Sequence, residues 1–170
     1  VLLYGVFAIY ILLLILILFR TKHLTRSVNL IPFRGIFSFL TGVDLVSGKD
    51  SSILLHTFAL SNLLSNILIF VPLGIYTTLF NSDKRILKNA LLIIAISISV
   101  EIIQFVCKLG IGDIDDVILN GIGGLIGIVI CRLLYLMFKD DIKVRCIIAI
   151  IAPIGGVLSL GMLIFYNSRF

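Results

Sequence analysis

Residues 97–127, SISVEIIQFVCKLGIGDIDDVILNGIGGLIG, carry the side chains best suited to chemistry. Glu101 and Gln104 sit inside one apolar run, Asp113, Asp115 and Asp116 follow it, and Asn120 opens a second run with Gly123, Gly124 and Gly127. A carboxyl group within hydrocarbon is costly, so it normally faces protein or water and has a partner. Glu101 is therefore a candidate proton carrier or general acid. The structural alternative is a carboxyl that joins helices by hydrogen bonding, with Gln104 or Asn120 as partner. The three Asp offer hard oxygen ligands that can hold a divalent cation, which in turn can bridge to a phosphate. Their structural role would be an N-cap of the following helix, and one Asp suffices for that.

Further polar residues extend this set. Asn62 and Asn66 lie one helical turn apart in another apolar run and share a face. They fit interhelical hydrogen bonds as well as they fit ligands. Asn29 and Arg34 flank the segment Asn29-Leu-Ile-Pro-Phe-Arg-Gly35; Arg34 can pair with a phosphate or with the Asp group. Gly123 and Gly127 read as close helix packing of the GxxxG kind. The serines have no His–Asp set, and His56, with no ligand-type residue at metal spacing beside it, makes no metal site.

The elements that must position these residues follow from composition. The chain has 60% hydrophobic and 14% charged residues, with a mean hydropathy of +1.22. These values exclude an ordinary soluble domain. Continuous apolar runs near the ~20 residues that cross a hydrocarbon core predict an all-α, polytopic helical membrane protein forming a single domain over residues 1–170. About five spans are expected, near 1–19, 54–80, 87–106, 117–138 and 146–166. The first reads as a retained helix rather than a signal peptide, because Arg20, Lys22 and Arg26 follow it instead of a small-residue cleavage site. Pro72 is expected to kink the second. A net charge of +5 suits loop lysines and arginines meeting anionic headgroups of the lipid bilayer. No basic run is long enough for nucleic acid. Cys107, Cys131 and Cys146 have no metal-ligand or redox spacing and read as small apolar residues.

Alternation of the spans places loop 20–52, loop 107–116 and the C-terminus on one side. The polar half of the second span, the Glu101–Gln104 end of the third and the Asn120 end of the fourth then meet at that face, as a one-sided pocket. Basic residues in short loops, with the long loop discounted, favour an external pocket.

Four blocks in order carry a family likeness: Asn29-Leu-Ile-Pro-Phe33, Asn66-Ile-Leu-Ile-Phe-Val-Pro-Leu-Gly74, Ser99-Val-Glu-Ile-Ile-Gln104, and Asp113-Ile-Asp-Asp-Val-Ile-Leu-Asn120 with Gly123-Gly124. Over residues 25–132 the chain resembles the VanZ-like family of bacterial membrane proteins. Members often have an Arg shortly before the first Asp of the last block. Here Leu109-Gly-Ile-Gly112 stands in that place, and Lys108 is the nearest cation. The resemblance implies a cell-envelope protein of the bacterial cytoplasmic membrane, related to low-level teicoplanin-type glycopeptide resistance, without a defined chemical activity. Three functions are consistent with this reading. The first is binding of a lipid-linked or anionic envelope component in the pocket formed by Asn29, Arg34, Asn62, Asn66, Glu101, Gln104, Asp116 and Asn120. The second is a metal-assisted intramembrane enzyme acting on a phospholipid or lipid-linked precursor, with Glu101 and the Asp group as catalytic residues. The third is a proton-coupled transporter, which the absence of an inverted repeat disfavours.

Overall fold

The computed structural model describes residues 2–19, 28–33, 37, 53–81, 85–109 and 112–152. Its helices are α1 (Leu2–Leu18), α2 (Ile53–Phe80), α3 (Ile86–Cys107) and α4 (Ile114–Phe138); α5 runs from 141 to 152, where the described residues end. Two short strands, β1 (Val28–Asn29) and β2 (Gly112–Asp113), complete the architecture. The protein is all-α. Among the described residues, three helical stretches are long and apolar enough to cross a membrane: Leu63–Phe80, Ile86–Cys107 and Ile114–Phe138. At 1.5 Å per residue the last two measure about 33 and 37 Å, against a hydrocarbon core of about 30 Å. α1 is apolar but shorter, at 17 residues. Most of the expected fifth span lies outside the described residues.

α2 and α4 form the closest helix pair, and glycine makes it possible. A Cβ on Gly123 would meet the carbonyl oxygen of Ile67, and one on Gly127 would meet that of Val71. From the other side, a Cβ on Gly74 would meet the carbonyl oxygen of Gly124. The two backbones are thus in direct contact, as the glycine spacing predicted. α2 is helical through Pro72. Around this pair lie two apolar clusters. Leu14, Phe70, Leu73, Ile93 and Ile128 fill the middle of the bundle. Leu3, Tyr76, Leu79, Cys131, Val144, Ile148 and Ala149 fill the end where α1 begins and α4 finishes. At that end Arg145 donates to Asp141 at 2.6 Å and to the carbonyl of Leu79 at 3.3 Å, and the Tyr135 hydroxyl donates to Asp141 at 2.6 Å.

Two expectations are corrected. The fourth helix begins at Ile114, not 117, because Asp113 caps it; Asp115 and Asp116 are then in its first turn, not in the loop. The stretch between the expected fourth and fifth spans, 139–145, is already helical from 141. Asp140 caps that helix, accepting from the backbone of Ile142 at 2.9 Å and of Lys143 at 3.3 Å. The loops also contain a parallel two-stranded sheet that the apolar-run reading did not contain, with Val28 opposite Gly112 and Asn29 opposite Asp113.

Candidate functional site

The site is assembled where α3 ends and α4 begins. α3 closes with Lys108 in the left-handed conformation (φ 56°). The amide of Leu109 returns to the Gln104 carbonyl at 2.8 Å, which turns the chain sharply. After the turn, Asp113 carries three duties. Its carboxylate accepts from the Asp115 amide at 2.9 Å, capping α4. It also accepts from the Asn29 side-chain amide, at 3.1 and 3.2 Å to its two oxygens. Its own amide donates to Glu101 Oε2 at 2.9 Å. Asp113 therefore ties β1, β2, α3 and α4 together.

The two acidic residues of the first turn diverge from it. Asp115 is buried, 4% exposed, and accepts from the backbone amide of Phe33 at 2.5 Å. Phe33 takes the left-handed conformation, with φ 63°, and this aims its amide at the carboxylate. Asp116 accepts from the side-chain amide of Asn66, which brings α2 into the site. Both carboxylates also stand beside the free amides at the N-terminus of α4, where negative charge is favoured. One turn deeper, the Asn120 side-chain amide donates to Ser97 Oγ at 2.9 Å. Asn120 is 1% exposed, and its carbonyl oxygen has no partner among the described residues.

The structure thus brings Asn29, Asn66, Glu101, Asp113, Asp115, Asp116 and Asn120 to one end of the bundle, on five elements or their flanks. Gln104 takes a different course, donating to the Leu18 carbonyl at 2.7 Å. It caps the otherwise open C-terminus of α1. The expected Glu101 partners, Gln104 and Asn120, are therefore replaced by the backbone amide of Asp113. The reason is the register of β2, which delivers that amide to α3 while Gln104 and Asn120 are drawn to Leu18 and Ser97. Arg34 and the side chain of Asn62 lie outside the described residues. Among the described residues, no group of three or more His, Cys, Asp or Glu is placed to hold a metal ion. Asp113, Asp115 and Asp116 each point to a different nitrogen donor.

Sequence reasoning named Asn29 but missed the β1–β2 pairing that brings it to Asp113, and it missed the Phe33 amide and the Leu18 carbonyl. Backbone groups leave no residue-type signal. The Asp113-x-Asp115-Asp116 spacing did hold one, an N-cap followed by acids in the first turn.

A bundle with three helices of spanning length, closed at one end by a strand-pinned acidic turn, is the architecture of a membrane-type helical protein. The VanZ/LLP1 family model matches residues 2–135, which include every described residue of the site, and the chain belongs to that family. It is similar to Protein VanZ of Enterococcus faecium, with 27% identity over 174 residues that cover 97% of this chain and 92% of the relative. No solved structure matches the chain.

Proposed function

We propose that this protein is a multi-pass protein of the bacterial cytoplasmic membrane that contributes to teicoplanin-type glycopeptide resistance. It would do so by binding a lipid-linked or other envelope component in the polar site, on the external side. One observation carries the reading: Glu101, Asp113, Asp115 and Asp116 stand at a single end of the bundle, in a chain of hydrogen bonds reaching β1, β2, α2, α3 and α4. Packing alone does not require four carboxylates there, since one suffices to cap α4. The described part of the site offers carboxylates and amides, which suit the hydroxyl, amide or amine groups of a ligand. An anionic headgroup would need a cation, a role for which Arg34 is the sequence candidate.

The test is complementation of a deletion strain with Glu101→Gln and Asp116→Asn, read as teicoplanin susceptibility at matched membrane levels of protein. These changes keep the hydrogen-bonding shape and remove charge. Susceptibility equal to the deletion strain is expected. Wild-type resistance in both variants would defeat the reading.

A further inference from the structure

Each carboxylate of the site already accepts from a donor of the chain itself. Two of these donors are fixed in the bundle: Asn66, which binds Asp116 from α2, and the Asp113 amide, which binds Glu101 across the α3–α4 turn. Two others come from the segment 28–33. The Asn29 side-chain amide donates to Asp113 at 3.1 and 3.2 Å, and the Phe33 backbone amide donates to Asp115 at 2.5 Å. This segment is held differently from the helices around it. Among the described residues, none of 28–33 belongs to either apolar cluster. Val28, Leu30, Ile31 and Phe33 are exposed, and only Asn29 is half-buried. The ladder to β2 is two residues long. Phe33, at φ 63°, holds a left-handed conformation that is unfavourable for an aromatic residue and that its bond to Asp115 offsets. Segments with so few buried apolar contacts lie at the easily opened end of a structure.

We propose that residues 28–33 are an autoinhibitory strap: they occupy the carboxylates of Asp113 and Asp115, and a ligand reaches these groups by displacing them. The inference rests on the binding reading above and adds the step by which the site opens. The strap also names the chemistry that replaces it. Both of its bonds run from N–H to a carboxylate oxygen, so the incoming group is an amide or an amine. Displacement leaves the bundle standing. Asp113 keeps the Asp115 amide and so still caps α4, and the glycine contacts between α2 and α4 do not involve the strap. The ligand's apparent affinity is then its intrinsic affinity reduced by the fraction of protein in which the strap is open.

The experiment holds the strap shut. Val28 and Gly112 are partners across the ladder, and a Cβ on Gly112 would stand 3.9 Å from both Val28 methyls. Val28→Cys with Gly112→Cys therefore suits a disulfide, and it alters none of the carboxylates or their donors. The full chain is purified in detergent with Cys107→Ser and Cys146→Ser, which removes the two exposed thiols. A water-soluble carbodiimide with glycinamide as the amine probe modifies accessible carboxylates, and peptide mass spectrometry reads each position. Modification of Asp115 should be several-fold slower in the oxidised form than after reduction, while exposed Asp140 reacts equally in both. Asn29→Ala, which unties the strap from Asp113 without a disulfide, should speed modification of Asp115 several-fold over the wild type. In cells, the disulfide-bonded variant should be as teicoplanin-susceptible as the deletion strain, while each single cysteine variant keeps resistance. Equal Asp115 rates in the oxidised and reduced forms, with the disulfide confirmed by mass, would overturn the proposal. So would an Asn29→Ala rate equal to that of the wild type, or full resistance with the disulfide formed. The labelling needs neither teicoplanin nor the natural ligand, so failure of the strap and failure of the resistance reading are distinguishable.

Discussion

At the residue scale, Asp113 and Glu101 divide structure from chemistry. Asp113 caps α4 and holds Asn29. Asn caps as well as Asp does, whereas Ala removes the acceptor at a cost of about 1 kcal/mol and leaves Asn29 without its partner. Thermal unfolding in detergent should therefore place Asp113→Asn close to the wild type and Asp113→Ala clearly below it. Equal losses would mean that the charge, not the cap, stabilises this turn. Glu101 is acceptor to the Asp113 amide. Glu101→Gln retains an oxygen for that amide, while Glu101→Ala strands a partly buried donor at roughly 1–3 kcal/mol. Stability should follow the order wild type, Gln, Ala; teicoplanin resistance should be lost in both. A Gln variant with full activity would make Glu101 a purely structural acceptor.

At the element scale, the α2–α4 pair depends on glycine in a graded way. A Cβ at Gly123 or Gly127 meets backbone oxygen, which cannot yield without separating the helices. At Gly124 it meets the side chain of Ile93, and at Gly121 only Ile94 Cγ1 at 3.7 Å, an ordinary contact. Alanine substitution should cost most at 123 and 127, on the order of 1–3 kcal/mol for forced overpacking. It should cost less at 124 and nothing at 121, where Ala also has the better helix propensity. Refolding titrations from denaturing detergent would rank them, and a different order would contradict the close contact. These glycines were legible in the sequence, because their GxxxG spacing reports helix packing directly. The helix bodies were legible too, from apolar runs long enough to span. The start of α4 was placed three residues late because Ile114 and two carboxylates read as loop, while the cap that starts the helix is one side chain upstream. The β1–β2 pair was not legible at all. Two residues are too short for a strand period, and their pairing joins positions 84 residues apart. Glu101 was recognised as needing a partner, but that partner is a backbone amide delivered by the sheet, which no residue pattern encodes.

At the scale of the whole molecule, polar groups form separate layers. The site end has Glu101, the Asp group and, one turn in, Ser97 with Asn120. The other end has Asn81 donating to Asn89 at 2.8 Å, beside buried Thr78, and the Tyr135–Asp141–Arg145 latch. Between the layers, Phe70, Ile93 and Ile128 are essentially solvent-free. Among the described residues, this buried apolar cluster between the two polar ends favours a one-sided binding site over a conduction path for protons or substrate. It also makes orientation the decisive measurement. Lys108 follows α3 at the site end, and Lys139, left-handed at φ 51°, follows α4 at the other. The 25 residues of α4 separate the two ends by about 37 Å, more than a hydrocarbon core. In a background with Cys107→Ser and Cys146→Ser, which removes the two exposed thiols, Lys108→Cys should react with a membrane-impermeant maleimide on intact cells. Lys139→Cys should react only after the membrane is opened. The reverse pattern would put the carboxylates in the cytoplasm and end the external-site proposal. Reaction of both in intact cells would contradict a membrane-spanning α4.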